Sequence, residues 1–265
     1  MLNQISADLF KLRKTSSIKI LFVISLICAS TMTAMAYLIS NGTLDKSLSG
    51  PAFLLSDVSM LGILGALFAG LYISGDFENK AIHSSISSGV TRGKIIAGKS
   101  VVFFISIAIL ILPYVICIII SLLLGARFSA DLSSLGFLNL LISGSSASFA
   151  IADIPKFVLV VIVLAIVYLA QLSICIPLSI TFKKPVIIMA IYYAFSFLTG
   201  QLMLIQSKNE LFEKIYTLTP YGGTHSVITL TTGTGDIIKA LIVSIVFIFI
   251  MLAISYGAFR KSDVK

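Results

Sequence analysis

The chain has 265 residues, of which 58% are hydrophobic and only 11% charged, and its mean hydropathy is +1.08. Soluble domains carry about 25% charged residues, so this chain has too few to cover a hydrated surface. The composition therefore excludes an ordinary soluble domain and predicts one transmembrane domain over residues 1–265. The net charge of +8 gives no reason to invoke nucleic acid, because the basic residues are explained by membrane topology.

Six apolar stretches, free of charge except for Asp57 in the second, are long enough to cross a bilayer, whose hydrocarbon core requires roughly 20 helical residues. They lie at about 20–40, 53–74, 101–124, 157–181, 185–205 and 240–259. The fold class predicted is therefore an all-α, polytopic membrane protein with six transmembrane helices. Two further stretches without charge, 132–152 and 215–235, are rich in Gly, Ser or Thr. We expect them to lie at the outer interface or dip into it without spanning.

The segment before the first span, residues 3–16, is amphipathic. Ile5, Leu9 and Leu12 recur at helical spacing on one side. The charged residues on the other side are Asp8, Lys11, Arg13 and Lys14. The pattern predicts an interfacial helix on the inner leaflet, and a basic flank that only sets topology is the alternative.

The second span has one face made of small side chains, because Gly62, Ala66, Gly70 and Ser74 recur every four residues. Small faces let another helix approach closely within lipid. Close static packing is one interpretation. A face that moves during transport is the other, and it makes Gly62, Ala66 and Gly70 candidates for a translocation path. Gln171, in the fourth span, is a further path candidate, with a hydrogen bond to a neighbouring helix as the alternative.

Lysine and arginine placement predicts that both termini are cytoplasmic. With the N-terminus inside, 13 of the 19 basic residues fall on the inner side, as the positive-inside rule requires. Asp57 lies near the outer end of the second span, where we expect it to stay hydrated or to cap the helix. His83 and His225 each stand alone in a loop and are predicted to be surface residues.

Residues Gly93–Ser100 read GKIIAGKS and fit the spacing of a phosphate-binding loop. Such a loop needs a buried strand before it and a helix that begins directly after it. Here the preceding AIHSSISSGVTR lacks an apolar run, and a membrane span follows. We therefore expect no nucleotide site. Cys28, Cys117 and Cys175 have no metal-ligand spacing, and no nucleophile–base pair stands out, so neither a metal nor an enzymatic activity is expected.

The longest cytoplasmic segment, residues 75–100, carries the most specific pattern in the chain. The second span ends in SGDFENKAI, a hydroxyl-rich turn follows, and SSGVTRGKIIAGK leads into the third span. With the basic N-terminal helix and the short FRKSDVK tail, the chain resembles membrane subunits of the type-2 ATP-binding-cassette (ABC) permease family. The resemblance covers nearly the whole chain. Ala81 departs from it, since the family pattern leads us to expect threonine there.

The resemblance implies that 75–100 is a coupling loop, which transmits closure of a separate ATPase dimer to the membrane helices. Residues 76–80 would form a hinge, and residues 87–99 would form the helix and turn that face the ATPase. The implied coupling residues are Asp76, Phe77, Glu78, Asn79, Lys80, Ser87, Gly89, Arg92, Lys94 and Lys99. For the basic residues, enforcing topology is the alternative role.

The function expected from the resemblance is that of a permease subunit of an ATP-driven exporter in a bacterial plasma membrane. It would pair with a second permease subunit, identical or related, and with a cassette ATPase that binds ATP and Mg²⁺; this chain would bind no cofactor. Antimicrobial peptides or bacteriocins are the first expectation for the substrate. The alternative is a membrane protein that works without an ATPase, such as a sensor, an immunity protein that sequesters a peptide, or an ion-coupled carrier.

Overall fold

The structure is a computed structural model that describes residues 2–79, 81–126, 128, 136–146, 154–206, 210–222, 225 and 227–261. Within these ranges the regular structure is helical, with no strand. Six of the helical segments are long and apolar enough to cross a membrane. The predicted fold class, an all-α multi-pass membrane protein with six spans, is confirmed to that extent.

The spans are separated by short helices and turns. In chain order the α-helices are α1 (Leu2–Lys14), α2 (Ser16–Ser40), α3 (Ser49–Leu54), α4 (Asp57–Ala69), α5 (Gly75–Glu78), α6 (Ala81–Ser87), α7 (Arg92–Leu123), α8 (Phe137–Ser146), α9 (Ile154–Leu172), α10 (Cys175–Phe182), α11 (Pro185–Gln206), α12 (Glu210–Tyr216) and α13 (Thr234–Lys261). The spans are α2, α4 continued by α5, α7, α9 continued by α10, α11 and α13. The boundaries differ most for α7, which begins at Arg92 rather than near 101, because the helix continues through its charged first turns.

A π-helix, Gly70–Ser74, joins α4 to α5 within the second span. The backbone N–H of Gly75 donates to the carbonyl of Gly70, five residues back rather than four. π-turns are rare, and they occur frequently at functional sites. The second span is therefore irregular at the level where its base meets the other helices.

Two prolines lie within the spans. Pro113 lies inside α7, which continues through it without a break. Three residues before it, the carbonyl of Leu110 accepts a hydrogen bond from Ser25 Oγ of α2 at 2.7 Å. Pro177 lacks the N–H that would reach Ser173, and the fourth span breaks just before it, between α9 and α10, as expected of proline in a membrane helix.

The third span, α7, lies at the centre of the bundle and packs against α1, α2, α4, α8, α9 and α13. Its side chains Phe103, Ile107, Leu110 and Tyr114 are fully buried. By contrast, α2, α11 and α13 keep broad apolar faces exposed, with Phe249 as an example. An exposed apolar face of this extent fits contact with lipid or with another membrane helix.

The two ends of the bundle differ. We call the end that holds α1, the segment 75–94 and the end of α13 the basal end, since Arg92 and the last turn of α13 meet there. The opposite end, which holds α8 and α12, is the distal end. The described parts of the predicted outward-lying stretches 132–152 and 215–235 belong to the distal end, and the rest of both stretches falls outside the described residues.

Candidate functional site

At the basal end a buried carboxylate joins three parts of the chain. Asp76, near the end of the second span, accepts hydrogen bonds from Lys99 of α7 through one oxygen and from Lys11 of α1 through the other. The π-helix just above it sets the rotation at which Asp76 leaves the second span. One side chain therefore ties α1, the second span and the third span together.

Lys99 is the centre of this group. Its Nζ donates to Asp8 Oδ1 of α1 at 3.0 Å and lies 3.4 Å from the hydroxyl of Tyr72. The ammonium also sits over the Tyr72 ring, 4.4 Å from its centroid, a cation–π geometry. We call Asp8, Lys11, Tyr72, Asp76 and Lys99 the basal cluster.

The basal cluster is electrically balanced, with two carboxylates and two ammonium groups. The Lys99 and Asp76 side chains are 7% and 6% exposed, whereas Lys11 is 52% exposed. A buried ion pair contributes little net stability, but removing one partner leaves an uncompensated buried charge. The cluster therefore fixes a particular arrangement of the three helices.

The N-terminal helix α1 packs on the bundle. Leu12 is buried, and Ile5 and Leu9 pack against the core. A helix is present where the sequence predicted one, while its location on the inner leaflet stays a prediction. The expected separation of faces is wrong for Asp8 and Lys11, because both turn towards the protein to reach Lys99 and Asp76.

Phe77 and Arg92 attach the segment 75–94 to the last span. The Phe77 ring meets the Phe259 ring edge-on, with centroids 5.7 Å apart. Arg92 Nη1 donates to the carbonyls of Phe259 and Arg260 at 2.8 Å each. These carbonyls end α13, where a cation favourably meets the negative end of the helix dipole.

The remaining predicted coupling residues lie at the surface. Glu78, Asn79, Ser87, Gly89 and Lys94 are exposed. We call these five residues the basal strip. Lys80 lies outside the described residues.

The predicted helix over 87–99 differs from the observed one. The short helix is α6, which ends at Ser87, and Arg92 to Lys99 already belong to α7. Gly89 has φ of +84°, which ends the first helix, and Thr91 has an extended backbone, which begins the next. The turn between the two helices is thus the most exposed point of the segment.

The small face of the second span packs against α11. A side chain at Gly70 would meet Pro185, with its Cβ 2.5 Å from the Pro185 Cα, and one at Gly62 would meet the Tyr192 ring at 3.1 Å. Ala66 is fully buried. The predicted close packing is present, whereas a translocation path along Gly62, Ala66 and Gly70 stays a prediction that requires this contact to open.

Gln171 anchors a distal segment deep in the bundle. Its Nε2 donates to the carbonyl of Pro220 at 2.8 Å, and the Tyr221 hydroxyl donates to the Gln171 carbonyl at 2.6 Å. The Tyr221 ring also packs on Phe195 and Phe247, near the middle of α11 and α13. The stretch after α12 therefore enters the bundle well beyond an interfacial position. The hydrogen-bonding alternative for Gln171 is present, and a path role stays untested.

Asp57 is fully buried, so the expectation that it stays hydrated is wrong. Its Oδ2 accepts from the backbone N–H of Phe137 at 3.0 Å, where α8 begins, and from the Tyr168 hydroxyl. Gly136, with φ of +61°, lies so close that a side chain there would overlap Asp57 and Tyr168. The carboxylate thus holds the start of α8 against the second and fourth spans.

His225 is also buried, so its predicted surface position is wrong. Its Nε2 lies 2.8 Å from the carbonyl of Thr217, which can only accept, so this nitrogen carries the hydrogen. Burial lowers the pKa of His225, and the positive charge of Lys239 lowers it further. The Thr217 hydrogen bond and the negative charge of Asp236 act in the opposite direction. The ring therefore acts as a neutral donor within the distal turn.

The family resemblance singled out Asp76 and Lys99 but gave no indication of their partners. Asp8 and Lys11 are far from them in the chain, and no local spacing connects these positions. Tyr72 carried no signal beyond its place in an apolar span. The available hint was that Asp8 and Lys11, an acid and a base three residues apart, lie on the same first helix. An acid and a base at the ends of two spans, such as Asp76 and Lys99, can pair with both.

Comparison of the chain with family models, with curated proteins and with solved structures found no match. The functional argument therefore depends on the geometry of this chain.

Proposed function

We propose that the chain is a permease subunit of an ATP-driven exporter of the type-2 ABC class, with the basal end in the bacterial cytoplasm. The observation that carries the proposal is that buried ion pairs and exposed charges share the same two segments, since Glu78 is two residues from Asp76 and Lys94 is five residues from Lys99. Two permease subunits and two cassette ATPase subunits, which bind ATP and Mg²⁺, would form the complete exporter. Antimicrobial peptides or bacteriocins remain the proposed substrate class.

The basal strip has the properties of a docking site for an ATPase. It offers one exposed carboxylate, Glu78, and one exposed ammonium, Lys94, beside polar turn residues. Opposite charges on one face give orientation to a protein contact more than affinity. The strip is short, which suits a partner whose groove accepts a turn.

A force applied at the basal strip would reach three spans through contacts of the described residues. Glu78 and Asn79 continue directly from Asp76, which is bonded to Lys99 of the third span. At the other end of the segment, Arg92 holds the last turn of the sixth span. Movement of the strip would thereby be transmitted to the second, third and sixth spans together, which is what an ATP-driven permease requires.

The test is recovery of a cassette ATPase with the tagged full chain from its native host in mild detergent, with identification by mass spectrometry. The variant reverses both exposed charges of the strip, Glu78→Lys with Lys94→Glu. Its matched control reverses one exposed acid and one exposed base at the distal end, Glu213→Lys with Lys214→Glu. Arg92 is left intact, because its removal would free the end of α13.

An ATPase that is recovered with the wild type and the distal control, and lost with the basal variant, supports the proposal. Absence of any ATPase in all three preparations overturns it. Equal recovery with the basal variant shows that an ATPase binds elsewhere, which overturns the role of the strip.

A groove at the distal end favours a second candidate function, binding of an apolar ligand without an ATPase. It lies between α2 and α7, has a volume of about 670 Å³, and is lined by Thr33, Tyr37, Cys117 and Ser121 among others. A protein that sequesters a peptide would use such a groove. This function predicts protection of cells by the chain alone, with the basal strip variant as effective as the wild type.

A further inference from the structure

Folding sorts the charges of α1 between its two faces. The helix contains one acidic residue, Asp8, whose carboxylate is bonded to Lys99 at 3.0 Å. Lys11, on the same side, is bonded to Asp76. The carboxylate of α1 is therefore paired with Lys99 inside the protein, and the charged residues on the free face of the helix are all basic.

The free face of α1 combines these charges with an exposed aromatic ring. Phe10 is 63% exposed, and Lys14 Nζ lies 5.8 Å from the centre of its ring. Arg13 and Lys14 are exposed, and so is Lys19 in the following helix. In the part of the chain that the structure describes, no carboxylate lies within salt-bridge distance of these three basic residues.

α1 lies across the base of the bundle. Only Thr15 separates α1 from α2, so the helix lies where the first span begins. A Cβ added at Gly98, nearly two turns inside the start of α7, would lie 3.8 Å from Gln4 and Ile5. With the first span crossing the bilayer, the free face of α1 would lie at the level of the membrane surface.

We infer that this face, made of Phe10, Arg13 and Lys14 with Lys19 beside it, binds the headgroups of anionic phospholipids at the basal end. Guanidinium and ammonium groups pair with phosphate oxygens, and basic residues next to a membrane are attracted to anionic lipid. An aromatic ring suits the boundary between headgroups and acyl chains. The amphipathic pattern alone predicts the apolar face towards lipid; here that face packs on the protein and the cationic face is free.

The chain contains no tryptophan, so Phe10→Trp places a single fluorescent reporter on the face. The purified full-length variant is reconstituted into vesicles of phosphatidylcholine and phosphatidylglycerol. Bromine, which quenches tryptophan, is placed near the top of the acyl chains of one lipid or of the other, at the same total amount. The expected result is quenching roughly two-fold or more stronger when the anionic lipid carries the bromine, with the preference falling as salt is added.

Two control variants test whether the lipid preference depends on the position of the reporter and on the basic residues beside it. Phe249→Trp places the reporter on an exposed position of α13, 67% exposed and near the middle of that span, where equal quenching by both lipids is expected. Adding Arg13→Gln and Lys14→Gln to Phe10→Trp should abolish the anionic preference. Circular dichroism and gel filtration check that each variant is folded.

Equal quenching of the Phe10→Trp reporter by both lipids overturns the inference. A preference that survives loss of Arg13 and Lys14 does the same. A reporter that neither lipid quenches shows that protein or water covers the face, which also overturns it. The inference is independent of the proposed exporter function, because the vesicles contain no ATPase.

Discussion

Lys99 Nζ lies 3.0 Å from Asp8 Oδ1, although 91 positions separate the two residues in the chain. The contact places the N-terminal helix against the base of the third span, and Asp76 completes the arrangement from the second span. Three segments that sequence patterns treat as separate, an interfacial helix and the ends of two spans, form one unit around a buried ammonium group.

Replacing Lys99 with methionine should destabilise the protein strongly. The change keeps most of the unbranched side chain but leaves Asp8 without its ammonium partner and Asp76 with Lys11 alone. Breaking a buried ion pair on one side costs about 3–5 kcal/mol. The measurement is the thermal unfolding midpoint in detergent. Lys94→Met, at an exposed position of the same helix, is the control and should unfold within a degree or so of the wild type. Equal midpoints for the two variants would contradict the structural importance of the cluster.

Replacing Gly70 with alanine should disturb the contact between the second span and α11. The added Cβ would lie 2.5 Å from the Pro185 Cα, which is backbone and cannot move alone. Overpacking of this kind costs about 1–3 kcal/mol.

Gly75→Ala is the matched control, because a Cβ at Gly75 meets nothing within 4 Å. Alanine is the better helix former, so this variant should unfold at the same temperature as the wild type or slightly above it. A Gly70→Ala variant as stable as Gly75→Ala would show that the second span and α11 are not in close contact.

Replacing Gly136 with alanine should detach the start of α8. Its left-handed backbone alone costs a non-glycine residue about 1–2 kcal/mol, and the new methyl group would overlap Asp57 and Tyr168. Gly125, with φ of +66° and open space around its Cβ position, separates the two effects. Gly125→Ala should show the backbone cost alone, so Gly136→Ala should unfold at a clearly lower temperature. Proteolysis at the distal end measures the detachment directly.

Stability should fall as the pH is lowered from about 6.5 towards 5, because His225 must gain a proton. Its pKa is lowered by burial, so the unfolded chain binds this proton more readily than the folded chain. The contribution of His225 to stability is therefore fully present above the pKa that this histidine has in the unfolded chain, and it is lost as the pH falls below that value. Thermal unfolding in detergent across this range measures the slope. His225→Gln should flatten it, whereas His83→Gln, which leaves the buried ring in place, should keep it. A slope unchanged by His225→Gln would contradict the assignment.

The spans were predictable because a membrane helix must be apolar over its whole length. The six apolar stretches correspond to the six long apolar helices, with boundaries that differ where a helix continues through charged residues such as Lys94 and Lys99. Charge alone cannot distinguish the end of the hydrocarbon layer from the end of the helix. The π-helix gave no signal, since Gly70–Ser74 is equally compatible with an α-helix.

The candidate site was predictable only in part. Asp76 and Lys99 were selected through the resemblance to the permease family, but the direction of their side chains depends on helix rotation, which periodicity does not fix between spans. The burial of Asp57 was not predicted, because Phe137 and Tyr168, which donate hydrogen bonds to it, come from segments distant in the chain. A sequence indicates which residues are costly to bury and leaves open which partners stabilise them.

The π-helix makes the second span sensitive to its own register. Converting Gly70–Ser74 to a regular α-helix would turn everything below it by about 100°, the rotation of one residue. The position now held by Asp76 would then pass to Gly75 or Phe77, neither of which carries a charge. Lys99 would lose its shared carboxylate, and Lys11 would lose its only acidic partner in the described chain. A regular helix at this point would therefore separate the base of the second span from the ion pairs that join it to α1 and α7.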